Sequence, residues 1–159
     1  MAVEGMHAWA SAILTQVDRL ELARGELPKG GRHRRAYLCE RHFLLMAAKK
    51  LCDYIDWARD LNFLDESIFE EMLRLRDDVL YLRDMNEHVI TYYRGAGKNP
   101  EHWVSADELI IINPDSTVGT KIGGRLDWNE LAKAAFGLLN VCPDTIFLHD
   151  KVIQKCAAR

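Results

Sequence analysis

Apolar residues recur through the first half of the chain at intervals of three and four, the spacing that lines one face of an α-helix. Trp9, Ile13, Val17 and Leu20 form one such stripe and predict a helix from about Met6 to Arg24. The run Gly25-Glu26-Leu27-Pro28-Lys29-Gly30-Gly31 ends it, because proline and clustered glycines cannot sustain helical hydrogen bonding. A second helix is predicted over Arg32 to Leu61, with Leu38, Leu45, Ala48 and Cys52 on its stripe and Ile55 close by. Asn62-Phe63-Leu64-Asp65 is a tight connection, and Asp65 has the right chemistry to cap a third helix. That helix carries Ile68, Met72, Leu75, Val79 and Leu82, a seam spaced four, three, four, three, and it is expected to reach about Tyr93. Short connections between long amphipathic helices make them antiparallel neighbours.

Beyond Tyr93 the period changes. Gly95-Ala96-Gly97-Lys98-Asn99-Pro100 reads as a loop, Leu109-Ile110-Ile111-Ile112 as a short strand and Asn113-Pro114-Asp115-Ser116 as a turn. Thr117 to Ile122 is expected to return as the second strand of a hairpin. Asp127 followed by Glu130 resembles a capping box opening a helix from Trp128 to about Asn140, with a short helix after Pro143. The expected fold class is therefore mainly α: an antiparallel helical bundle with a small β-hairpin inserted before the C-terminal helices. It is expected as a single domain over 1–159, with a helical core over about 6–93, the hairpin over about 107–123 and the last helices over about 127–157.

Composition fits this pattern. With 48% hydrophobic and 28% charged residues, the chain has enough apolar side chains to close a core, which excludes a disordered polypeptide. Apolar stretches such as Phe43 to Ala48 are far too short to span a bilayer. The first nine residues hold Glu4 and no basic segment, unlike a secretory leader. The expected location is the cytoplasm, with no membrane partner. Cys39, Cys52, Cys142 and Cys156 lack the close pairing of a zinc site and are expected to be buried, reduced thiols.

The net charge of −3 conceals an asymmetry. Asp18 to Lys50 holds nine Lys/Arg against four acids, whereas Leu51 to Glu87 holds four Arg against eleven acids. The basic row Arg32, Arg34, Arg35 and Arg41 is a candidate contact for a nucleic-acid backbone. The plainer alternative is that neighbouring helices pair complementary charges along their solvated rims.

Standard catalytic motifs are missing from the sequence: there is no Walker loop, no dinucleotide-binding glycine pattern, no HExxH and no GxSxG. A di-metal bundle needs Glu-x-x-His pairs, and Gly30, Cys39 and Met85 stand where His33, His42 and His88 would require the glutamate. No metal or other cofactor is expected. The remaining chemistry lies in Arg83-Asp84-Met85-Asn86-Glu87-His88. On a helix, Arg83 falls at the edge of the apolar seam and Asn86 within it. A guanidinium and a carboxamide there demand a polar partner, water or a ligand. Asp84 and His88, four apart, share a face on which the carboxylate can orient the imidazole. Arg83 and Glu87 are also four apart, so the same spacing equally describes a helix end bearing two ion pairs.

This run resembles the signature of the HEPN superfamily: an Arg, a polar residue directly after it, and a His following a four-residue gap, set late in an all-helical bundle. Many members are metal-independent endoribonucleases, often toxins or defence effectors, that dimerise to bring two motifs together. The resemblance implies that Arg83 holds the scissile phosphate, that His88 acts as general acid or base, and that Asp84 orients it. It also implies RNA as substrate, a homodimer, and an antitoxin protein as a further partner. Asn86 and the row Arg32, Arg34, Arg35 and Arg41 are the expected binding residues. RNA supplies its own nucleophile in the 2′-hydroxyl, so an imidazole and a cationic clamp suffice. In members regulated by tyrosine modification a Tyr stands two residues after the His; here that position is Ile90. The alternatives are a non-catalytic HEPN-like binding or dimerisation module, and an unrelated helical protein in which Arg83 is a core-edge ion-pair partner.

Overall fold

A computed structural model describes residues 1–62, 64–88, 90–91, 94, 96, 105–107, 110–112 and 117–141. The fold is mainly α. Helix α1 spans Ala2–Gly25, α2 Gly31–Leu61, α3 Glu70–Glu87 and α4 Trp128–Val141. Helix α1 begins four residues earlier than its sequence stripe suggests, because Ala2, Val3 and Met6 are themselves buried. The 3-10 turn Leu27–Lys29 joins α1 to α2, and Glu66–Phe69 leads into α3. Asp65 caps that turn as expected: its carboxylate accepts the Ser67 N–H at 2.9 Å and the Ser67 hydroxyl at 2.6 Å. Those two bonds hold the carboxyl below its ordinary range.

The helices pack antiparallel. Gly5 of α1 lies against Tyr54 of α2, and further along Gln16 donates to the Glu40 carbonyl at 3.1 Å. Between α2 and α3, Arg76 reaches Asp56 at 2.7 Å near one end and Arg41 reaches Asn86 at 3.4 Å near the other. The expected stripes form the core: Ile13, Val17 and Leu20 from α1, Leu45, Ala48, Cys52 and Ile55 from α2, and Met72, Leu75, Val79 and Leu82 from α3 are buried. Each large aliphatic side chain removed from water contributes about 2 kcal/mol. Helix α4 closes the bundle with Trp128, Leu131, Ala135 and Leu138. The Trp128 indole donates to Glu21 at 2.6 Å, and the Arg24 guanidinium lies 5.4 Å from its ring centroid.

The strands depart from the expected hairpin. Ile110–Ile112 (β2) pairs with Ser105–Asp107 (β1), not with Thr117 to Ile122. The latter segment is itself a hairpin, Thr117–Val118 (β3) against Lys121–Ile122 (β4), extended by Leu126–Asp127 (β5). Gly119, at φ +62°, turns the chain inside what reads as one strand, a conformation glycine adopts without strain. Asp127 does cap α4, accepting the Asn129 N–H at 2.9 Å. Glu130 does not complete a capping box; it pairs across to Arg74 at 3.2 Å. Helix α3 stops at Glu87, six residues short of the expected end, and His88 takes φ −105°, ψ 20°. The β-branched run Val89-Ile90-Thr91 lowers helix propensity at that point. Ile90 and Thr91 are helical again, and the Arg94 N–H donates to the Ile90 carbonyl at 3.1 Å. The loop around 97–100 and the helix expected after Pro143 lie outside the described residues.

Two stability tests follow from this packing. A Cβ at Gly5 would sit 2.0 Å from the Tyr54 ring. Gly5→Ala is therefore expected to destabilise by about 1–2 kcal/mol despite alanine's better helix propensity. Urea unfolding should show the loss shrinking when Tyr54→Ala is added. Burial pushes the Cys52 thiol up to about 12, so its contribution to stability is present below the ordinary thiol range and is lost as pH rises toward that value. Cys52 is buried as expected but Cys39 is exposed, because it lies on the side of α2 away from the inner stripe. Alkylation followed by peptide mapping should label Cys39 in the native protein and leave Cys52 unlabelled until unfolding.

Candidate functional site

The last two turns of α3 carry the motif, and the α-helical repeat fixes which side chains meet. Arg83 and Glu87 form an i,i+4 ion pair, with each side chain 28% exposed. The Arg83 Nε is buried without a hydrogen-bond partner, so the guanidinium is held at its edge rather than saturated. One residue further round, His88 Nε2 lies 3.5 Å from Asp84 Oδ1, with the imidazole 54% and the carboxylate 43% exposed. That distance suits a charge contact and is long for a hydrogen bond. Arg83 and His88 are about 140° apart around the helix axis. Within one chain, the structure does not bring the cation and the imidazole together; each is engaged by its own acid.

Asn86, on the seam, has the polar partner its position demands. Its Oδ1 accepts from Arg41 Nη2 at 3.4 Å, and its Nδ2 donates to the Leu82 carbonyl at 2.8 Å. Arg41 is only 2% exposed and belongs to the core. It is therefore not one of a row of surface phosphate contacts: Arg32, Arg34 and Arg35 are exposed and Arg41 is not. The sequence held the signal for this. Leu38, Arg41, Leu45, Ala48, Cys52 and Ile55 are spaced three, four, three, four, three, which puts Arg41 on the stripe of α2 that faces the bundle.

The Arg41–Asn86 contact also places the two candidate groups relative to one another. Because α2 and α3 run antiparallel, residues before Arg41 and residues after Asn86 extend toward the same end of the bundle. Arg34 lies about 10 Å beyond Arg41 along the helix axis, and His88 about 3 Å beyond Asn86. The exposed arginines at the start of α2 and the Asp84–His88 pair at the end of α3 thus share one end. Nearby, Glu26 takes up part of the positive charge: Lys29 bonds to it, His33 Nδ1 lies 3.7 Å away, and its carboxyl is held below the ordinary range chiefly by Lys29. The three-stranded sheet reaches the same region, since the Tyr37 hydroxyl donates to Thr117 Oγ1 at 2.9 Å. Arg125, in the turn before β5, stacks 4.4 Å from the Tyr81 ring centroid on α3.

A pocket of about 450 Å³ opens at the opposite end of the bundle, lined by Asp56, Arg59, Asp60, Asn62, Leu64, Glu66 and Arg76. Its arginines are engaged, Arg76 with Asp56 at 2.7 Å and Arg59 with Glu66. It contains none of the candidate residues. Among the described residues, no three His, Cys, Asp or Glu side chains gather as a metal site, and no helix is long and apolar enough to cross a membrane. No protein-family model, curated protein or solved structure matches the chain.

The buried and exposed arginines should separate cleanly by mutation. Arg41→Ala is expected to cost about 2–4 kcal/mol, because it leaves Asn86 without its partner and opens a void. Arg34→Ala should stay within about 0.5 kcal/mol, as befits an exposed side chain. Urea unfolding of both variants measures the contrast.

Proposed function

We propose that this protein is a HEPN-like, metal-independent endoribonuclease of the toxin or defence type, acting in the cytoplasm as a homodimer and restrained by an antitoxin protein. The observation that carries the reading is that exposed Arg32, Arg34 and Arg35 and the Asp84–His88 pair lie toward the same end of the bundle. Phosphates bound along the arginines would bring an RNA backbone to an imidazole that already has an orienting carboxylate and open access to solvent. In the proposed reaction a 2′-hydroxyl attacks the adjacent phosphorus and the bond to the 5′-oxygen breaks. His88 exchanges the proton, taking it from the nucleophile or giving it to the leaving oxygen. Because Arg83 and His88 diverge on one helix, the Arg83 that neutralises charge developing on the phosphoryl oxygens comes from the motif of the second copy in the proposed homodimer. For that it exchanges Glu87 for phosphate, so that one anion takes the place of another beside a partly sheltered guanidinium. The products are a 2′,3′-cyclic phosphate and a 5′-hydroxyl.

A second reading, a non-catalytic HEPN-like binding module, is favoured by a specific observation. Arg83 and His88 already have acidic partners on their own helix. The two readings separate in one experiment. RNA is incubated with purified protein in EDTA, comparing wild type, His88→Ala and Arg83→Ala. The catalytic reading expects wild-type cleavage to cyclic-phosphate ends, and at least about a hundredfold loss in each variant. Equal activity in all three, or none, leaves the binding reading. In that case RNA affinity should still fall steeply with salt and with Arg34→Ala/Arg35→Ala.

A further inference from the structure

The solvent side of α3 is acidic where the proposed reaction must hold a polyanion. Asp77, Asp78 and Asp84 lie along it, and His88 stands at its end. Arg83 does not offset them, because it projects about 140° from His88 around the helix. The three-stranded sheet brings a cation that does. Arg125, in the turn between β4 and β5, lies over the Tyr81 ring, 4.4 Å from its centroid, and its Nη1 is 3.4 Å from Asp78 Oδ1. Tyr81, Asp84 and His88 follow one another at three and four residues, within about 60° of one face. The guanidinium thus sits on the side of α3 that carries the imidazole, level with Tyr81 and about 10 Å before His88 along the axis.

We propose that Arg125 binds a phosphate of the RNA strand next to the one cleaved, so that the Tyr81–Arg125 pair is a substrate subsite. The proposal takes its substrate from the ribonuclease reading and rests on it to that extent. Arginine lies over an aromatic ring without using the N–H donors of its fork, which remain for an anion. The Asp78 contact is long for a hydrogen bond, so it orients the guanidinium without saturating it. The side chain is 49% exposed, which leaves it open to a strand passing His88. The separation along α3 assigns it a neighbouring phosphate, because the scissile group must lie within hydrogen-bond reach of the imidazole. Arg74, also on this side of α3, is farther from His88 and already meets two carboxylates, Glu71 at 3.4 Å and Glu130 at 3.2 Å.

A 2′-O-methyl RNA oligonucleotide, which lacks the nucleophile, separates binding from cleavage. Its affinity is read by fluorescence anisotropy in EDTA at several salt concentrations, with circular dichroism to confirm folding. Arg125→Ala is expected to weaken binding at least about fivefold and to lower the salt slope by about one. Arg125→Lys keeps the charge and should keep the slope. Arg74→Ala removes a comparable link from α3 to the C-terminal part of the chain and should leave affinity and slope unchanged. On cleavable RNA, Arg125→Ala should raise KM on an oligonucleotide and leave kcat/KM unchanged on a dinucleotide, which has a single phosphodiester. His88→Ala should lose cleavage of both. Unchanged affinity and slope in Arg125→Ala overturn the proposal whatever the cleavage result, and so does an equal loss in Arg74→Ala. A wild type that binds through Arg125 and cuts nothing supports the subsite and overturns the ribonuclease reading alone. A wild type that binds no RNA overturns the subsite.

Discussion

The contact between Arg41 and Asn86 decides what the rest of the molecule can present. A guanidinium in the core cannot be left without polar company, because desolvating it unaided costs far more than any one packing contact returns. Asn86 answers from α3 while anchoring itself on the Leu82 carbonyl one turn back. The pair links α2 to α3 at this level of the bundle, alongside the packing of Leu44, Leu45 and Leu82. With the helices antiparallel, the arginine-rich start of α2 and the polar end of α3 lie toward the same end.

At that end the electrostatics are divided between two helix faces. Arg83 with Glu87 is partly sheltered, and Asp84 with His88 is open to solvent. Both pairs are intrahelical, and the exposed Asp84–His88 contact contributes little to stability. The same feature that makes the motif look occupied in the free chain leaves it available to a phosphate. Arg32, Arg34 and Arg35 supply the field that would draw one in. The sheet packed nearby through Tyr37 and Arg125 borders this surface, which gives the segment before α4 a place at the site as well as a role in closing the fold.

Helix α2 serves both faces of the molecule. Its inner stripe builds the core and its outer stripe carries Phe43, Met46 and Trp57, with charge reversing along its length. A 31-residue helix is long enough to sustain both patterns without conflict, because two seams half a turn apart do not compete for the same positions.

The sequence by itself determined the helices, their antiparallel order and most of their buried residues, because each depends on local periodicity, caps and breakers that act within a few residues. Ile13, Leu45, Met72 and Val79 are in the core where their spacing put them, and Asp65 and Asp127 cap where their chemistry suggested. Periodicity also places Arg41 on the inner stripe of α2, between Leu38 and Leu45. Only the tertiary structure decided the strand partners, since pairing depends on where Gly119 turns the chain and on which segments the helices bring close. It alone decided that Asn86 is the group that meets Arg41 in the core. That contact joins positions 45 residues apart in the chain, a distance at which local rules carry no information and packing carries all of it.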